Sequence, residues 1–291
     1  MIQFIGALIS GLNLGSIYAL IALGYTMVYG IAKMLNFAHG DIIMVGAYSV
    51  IVSAVTLKLP PIVAILIAVV VCAALGVTIE FLAYRPLRQP PLAVLITAIG
   101  VSYLLQNLAL LIFGPEQKST PALFDLPSLT LGGVTVDGIT LLTLGVTAAI
   151  MVGLTLFINL TRMGKAMRAV SEDRDAAELM GISVNKTITI TFAIGSALAA
   201  VASVFFGATY TYIKPTTGSM PGIKAFTAAV FGGIGSIPGA MLGGILLGLI
   251  EQLSKVYIST LWSDAVVFGV LVLVLVFKPA GLLGKRVREK V

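Results

Sequence analysis

Ile139–Leu160 carries not one formal charge, and neither do Leu92–Phe113 and Ile188–Tyr212. Pro61–Ala83 has Glu80 as its lone charge. Each run approaches or exceeds the roughly 20 apolar residues with which a helix crosses a bilayer. Inside lipid every backbone N–H and C=O needs a partner within the protein, so such runs fold as helices. The expected fold class is an all-α polytopic membrane protein. Composition agrees: 58% of the residues are hydrophobic and 10% charged, against about 25% charged in soluble domains. No polar stretch exceeds about 30 residues, too few for a separate soluble domain. Residues 1–291 therefore read as a single transmembrane domain.

The net charge of +6 does not point to nucleic acid, because the basic residues sit in loops and in the tail, as membrane insertion requires. They form three clusters: Arg85 and Arg88; Arg162, Lys165, Arg168, Arg174 and Lys186; and Lys285, Arg286, Arg288 and Lys290. Placed together on the cytoplasmic side, they make 161–187 a cytoplasmic loop, 278–291 a cytoplasmic tail and 114–138 an extracytoplasmic loop. Spans over roughly Ile2–Gly30, Asn36–Leu57 and Pro61–Ala83 then put the N-terminus outside. Between Ile188–Tyr212 and Asp264–Phe277, the run Gly232-Gly-Ile-Gly-Ser-Ile-Pro-Gly239 interrupts an apolar stretch. A straight helix cannot run through it. If the chain turns back there, Ala225–Gly233 is a short inward span and Gly239–Ile258 returns outward. The charge rule favours that odd count over an even one, and the total is about eight to nine spans. Met1-Ile2-Gln3 lacks the basic start of a cleavable signal, and Cys72 stands alone in an apolar run.

Small residues at four-residue spacing, Gly11 with Gly15, Gly239 with Gly243 and Gly244 with Gly248, let helices approach closely. Packing within one subunit and packing between subunits both fit this spacing. Asn36-Phe-Ala-His-Gly-Asp41 lies between two apolar runs and holds the chain's single histidine. One reading is irregular backbone lining a path at membrane depth, with Asn13, Asn36, His39, Asp41 and Glu251 as path or gate residues. The other is a plain turn in which Asn36 caps a helix and His39 is solvated. Glu251 lies four residues before Lys255, so an ordinary i,i+4 pair also accounts for it. No Cys/His cluster offers a metal site, no Gly-x4-Gly-Lys-Ser/Thr loop offers an ATP site, and no serine nucleophile has a placed histidine.

Ser171-Glu-Asp-Arg-Asp-Ala-Ala-Glu-Leu-Met-Gly181 reads as a short charged helix between spans. Ser171 is placed as N-cap, Glu172 and Asp173 at the positive end of the dipole, and Gly181 at a left-handed C-cap. At about 14 Å it is too short to be stable alone, so something is expected to dock on it. Asp175-Ala176-Ala177-x3-Gly181 resembles the Glu-Ala-Ala-x3-Gly loop of ATP-binding-cassette importer permeases, with Asp replacing Glu. That resemblance implies an ATPase-coupling segment over Met163–Gly181, with Arg168, Asp175, Ala176, Ala177 and Gly181 as its residues.

Longer stretches carry a closer resemblance. Tyr18-Ala-Leu-Ile-Ala-Leu-Gly24, Tyr25-Thr-Met-Val-Tyr-Gly30, Asn36-Phe-Ala-His-Gly40, Tyr84-Arg-Pro-Leu-Arg88, Lys224-Ala-Phe-Thr-Ala-Ala-Val230 and Lys278-Pro-Ala-Gly-Leu-Leu-Gly284 resemble the high-affinity branched-chain amino acid permeases, and among them the first of two paired membrane subunits. The resemblance implies the ABC importer permease fold and a transport subunit in a bacterial cytoplasmic membrane. Its partners would be a paralogous permease, two cytoplasmic ATPases that bind ATP and Mg, and an extracytoplasmic binding protein for Leu, Ile and Val. The chain itself would hold no cofactor. Selection by the binding protein would leave the path weakly binding, in keeping with no paired Arg and Glu being evident within a span. Urea and short-amide permeases share such signatures. An ion-coupled secondary transporter or a passive channel would not need the docking helix.

Overall fold

The computed structural model describes residues 2–88, 91–131 and 134–284; the basic cluster Lys285–Lys290 lies outside them. Helices α1 (Ile2–Ala32), α2 (His39–Ile51), α3 (Pro61–Ile79), α4 (Pro91–Phe113), α5 (Gly138–Leu160), α6 (Arg162–Glu172), α7 (Arg174–Leu179), α8 (Val184–Thr209), α9 (Ser219–Gly232), α10 (Ile237–Tyr257) and α11 (Ser263–Phe277) follow in order. One π-helical turn extends α2 through Val52–Thr56 and another extends α3 through Glu80–Tyr84. Among the described residues, 7 helices are long and apolar enough to cross a membrane, and α11 is a shorter apolar one. The 14-residue α9 is the short element expected where the glycines interrupt the chain. Gly233 and Gly235 take φ of 110° and 91°, which a side chain rarely tolerates. Ser236 then accepts the Gly239 N–H at 3.2 Å and starts α10.

A seam of glycines joins α1 to α10 within the core. A Cβ at Gly248 would collide with the Gly15 backbone, one at Gly244 with Ala19, and one at Gly15 with Ile245. Gly243 and Gly239 meet Ala228 and Gly232 of α9 in the same way. The small-residue faces are thus occupied by packing within the chain. Small faces let backbones approach until dispersion contacts become dense, which is the main attraction left between helices in lipid.

Contacts also sort the two ends of the bundle. Gly30 abuts Gly235, Leu282 and Leu283 N–H groups bond the Phe231 and Gly232 carbonyls, and Arg88 reaches Asn185 at 2.6 Å. The ends of α1, α3 and α9, the base of α8 and the segment after α11 therefore share one end, which carries Arg85, Arg88, Arg174 and Lys278. Phe4 packs against Tyr257 at the other end. The chain's start and its last described segment thus lie at opposite ends, the odd arrangement inferred from charge. At the end away from the basic residues, a short strand Lys118–Ser119 (β1) pairs antiparallel with Tyr212–Ile213 (β4). There Leu129–Leu131 (β2) also pairs with Val134–Val136 (β3).

Candidate functional site

Three regions carry the polar chemistry. At the basic end, α6 buries Gly164, Met167 and Val170 and leaves Arg168 exposed, bonded to Asn159 Oδ1 at 3.1 Å. The expected single helix from Ser171 is in fact broken at Asp173, whose backbone is extended (φ −154°, ψ 116°). Asp173, not Ser171, is the N-cap: its carboxylate accepts the Ala176 N–H at 3.0 Å, while the Ser171 hydroxyl turns back to the Arg168 carbonyl. The reason is local. A hydroxyl inside α6 finds the carbonyl of the preceding turn before any free N–H.

Gly181 closes α7 with φ of 81°. Its N–H bonds Glu178 and the Ile182 N–H bonds the Ala177 carbonyl, at 2.9 and 3.0 Å, the paired bonds of a left-handed cap. Ala177 is buried at 4%, whereas Asp175 and Ala176 face outward. Leu179 and Met180 are 89% and 81% exposed. The sequence reading missed both. Two bulky apolar residues immediately before a glycine cap, in an otherwise charged segment, were the available signal. Arg174 donates to the Ala32 carbonyl, so α7 is tied to the last turn of α1. Burial, then the nearby Arg88, lower its pKa, and Asp175 opposes them.

Close by, Glu80 is fully buried and binds Arg85 (2.9 Å) and Arg88, with the Thr189 hydroxyl donating at 2.8 Å. This cluster joins the π-helical end of α3 to the base of α8, which follows α7 in the chain.

The second region is where α1 gives way to α2. Lys33 takes φ of 52°, and residues 34–38 run back into the bundle with Met34, Asn36 and Ala38 buried. His39 lies 4.6 Å from the Tyr25 ring, about two turns, or ~10 Å, inside the end of α1. The capping-turn alternative fails on these facts. The N-cap of α2 is Ala38 without a side-chain bond, and Asn36 instead accepts the Tyr84 hydroxyl at 2.7 Å. His39 is fully buried, beside the Ile21 carbonyl, with no well-formed hydrogen bond at either ring nitrogen among the described residues.

Asp41, in the first turn of α2, is 1% exposed. Gln106 of α4 reaches it at 3.0 Å and also meets Ser102 and Ser219, at 3.2 and 3.1 Å. Gly40 and Gly218 touch backbone to backbone, so the starts of α2 and α9 converge here.

Asn13 and Glu251 lie elsewhere. Asn13 makes one long bond to Thr209 (3.4 Å) near the end away from the basic residues. Glu251 anchors a charged network. Lys224 and Lys255 bind its Oε1 at 2.8 and 2.6 Å, the Tyr18 hydroxyl donates to its Oε2 at 2.9 Å, and Lys224 also binds Asp264 at 2.7 Å. A buried Lys–Glu pair, Lys224 with Glu251, thus lies among the helices where the sequence showed no paired Arg and Glu within a span. Lys224 and Glu251 stand 27 residues apart, a separation that local spacing rules cannot reach.

Comparison with known proteins adds the family. Residues 7–275 match the family described as the branched-chain amino acid transport system / permease component. The high-affinity branched-chain amino acid transport system permease protein BraD of Pseudomonas aeruginosa is 46% identical over 99% of this chain and 98% of its own. The corresponding protein LivH of Escherichia coli is 44% identical over 100% and 98%. A probable branched-chain amino acid transport permease protein of Methanocaldococcus jannaschii is 30% identical over 92% and 89%. Among solved structures, a chain of PsaBC from Streptococcus pneumoniae in complex with Fab covers 94% of this chain and 91% of its own, at 16% identity and a TM-score of 0.49.

Proposed function

Because this chain belongs to the permease-component family of branched-chain amino acid transport systems, we propose that it is one membrane half of an ATP-driven importer. It takes Leu, Ile or Val from an extracytoplasmic binding protein and releases it in the cytoplasm. A paralogous permease completes the pathway, and two cytoplasmic ATPases supply ATP and Mg chemistry. The observation that carries this reading is the α6–α7 unit. It is too short to be stable alone, it presents Leu179 and Met180 to the outside, and Arg174 ties it to α1.

In this scheme the ATPase groove receives Asp175, Ala176, Leu179 and Met180. Ala177 and Gly181 shape the helix from within, and Arg168 borders the contact. Motion there passes to α1 through Arg174 and to α8 and α3 through the Glu80 cluster. The basic end faces the cytoplasm, as positive charge near spans requires, and the N-terminus faces outward. The buried turn at Asn36–Asp41 lies where α1 and α2 would part during a rocking motion. Asn36 and His39 are assigned to the gate. Asn13 lies toward the entrance, and Glu251 holds four helices around it.

Uptake of labelled leucine and labelled urea, into vesicles holding this chain with its partner permease, ATPases and binding protein, tests the proposal. Leucine accumulation that requires ATP and the binding protein is expected. Urea accumulation alone would change the cargo. Uptake by this chain without ATP, driven by an ion gradient, would remove the coupling role of α7. Ala176→Glu tests the docking face more cleanly than Ala177→Glu, because Ala177 is buried within the chain.

A further inference from the structure

We propose that Asp41 and the apolar cavity beside it form a transient subsite for the substrate inside the permease, with Asp41 receiving the ammonium group and the cavity receiving the branched side chain. The inference rests on the branched-chain amino acid reading above and adds the residues that would recognise that cargo.

Three acidic side chains are buried among the crossing helices, and Asp41 differs from the others. Glu80 and Glu251 each bind two cations. Among the described residues no ion pair includes Asp41, whose carboxylate accepts from the neutral Gln106 amide, the same amide nitrogen that also meets Ser102 and Ser219. A carboxylate within a membrane protein is costly without a cation, and its place is by default a functional one. The ammonium of an amino acid would supply the missing charge on arrival.

A cavity of about 410 Å³ lies between α2, α3 and α4. Val45, one turn beyond Asp41 on the same face of α2, lines it, and so do Leu105 and Ala109, which flank Gln106 on α4. Ser49 and Ser53 also line it, and most of the remaining wall is apolar, as sites for aliphatic ligands are. One polar exception is Tyr48. Its ring stacks on Phe113 at 4.1 Å, and its hydroxyl is buried with no hydrogen-bond partner among the described residues. Asp41 and Gln106 do not themselves line the cavity, but a carboxylate one helical turn from its Val45 wall, next to an apolar volume, matches an amino acid with a branched aliphatic side chain. Access is along α4, the crossing helix with the smallest buried share, 11%. Neutral hydrogen bonds to Asp41 in place of a second charge keep binding weak enough for release.

The test uses the complete transporter in liposomes. Asp41→Asn should lower leucine uptake by about tenfold or more, the loss of one charge-assisted contact, and Asp41→Glu should retain most of it. Ala109→Leu should depress leucine and isoleucine uptake more than valine uptake, by roughly tenfold in the ratio, since one methylene discriminates on that scale. Co-purification with the ATPases shows that each variant is folded. A photoreactive leucine analogue should label α2 or α4 and be competed by leucine. Wild-type leucine uptake by Asp41→Asn would overturn the subsite. So would an equal fall for all three amino acids in Ala109→Leu, or a phospholipid that leucine does not displace from the cavity. If the wild-type complex moves no leucine at all, the substrate reading fails first and the subsite with it.

Discussion

Glu251 and Asp41 are each 1% exposed, yet the protein treats them in opposite ways. Glu251 is saturated: two lysines, a tyrosine hydroxyl and, through Lys224, Asp264 close a network over α1, α9, α10 and α11. Asp41 is left with the neutral Gln106 amide, which also reaches Ser219, at the point where α2 and α9 begin. A saturated buried charge locks helices together, because removing one partner strands the rest. An unsaturated one waits for something to arrive. One fold thus uses the same functional group as a rivet in one place and as a receptor in another.

Variants can break this contrast. Glu251→Gln leaves Lys224 with Asp264 alone and Lys255 beside a neutral amide, and should cost roughly 3–5 kcal/mol, read as a lowered unfolding midpoint in detergent. Lys224→Met should cost less, about 1–3 kcal/mol, because Glu251 keeps Lys255 and Tyr18. A larger loss for Lys224→Met than for Glu251→Gln would mean that Asp264 is the more important partner. Tyr84→Phe removes the bond that holds Asn36 and should cost about 1 kcal/mol, measured in the same way. Asp41→Asn strands no cation, so its effect on the midpoint should be the smallest, within about 0.5 kcal/mol. A destabilisation as large as that of Glu251→Gln would place Asp41 among the rivets.

The spans were legible because an uncharged run of bilayer length has few ways to fold. The turn before α10 was legible too, since Gly233, Gly235 and Pro238 are each incompatible with a straight helix. The glycine seam was legible as close packing, but its partner helices were not, because four-residue spacing says nothing about which surface is met. Ser171 was taken for a cap on residue type alone. The choice of Asp173 depends on where α6 stops, and buried Met167 and Val170 determine that. The Lys224–Glu251 pair and the cavity beside Asp41 were hidden because both depend on helices distant in sequence.

The seam between α1 and α10 also has a consequence for how the molecule is made. Gly15 meets Gly244 and Gly248, so α1 finds this neighbour only after α10 has been made. Until then the glycine face of α1 lacks the helix that fills it. Truncated chains ending before Ile237 would hold a full set of early spans and yet no keystone. A quality-control protease that samples helix ends in the bilayer would find in that unmatched face a simple criterion for which chains to remove.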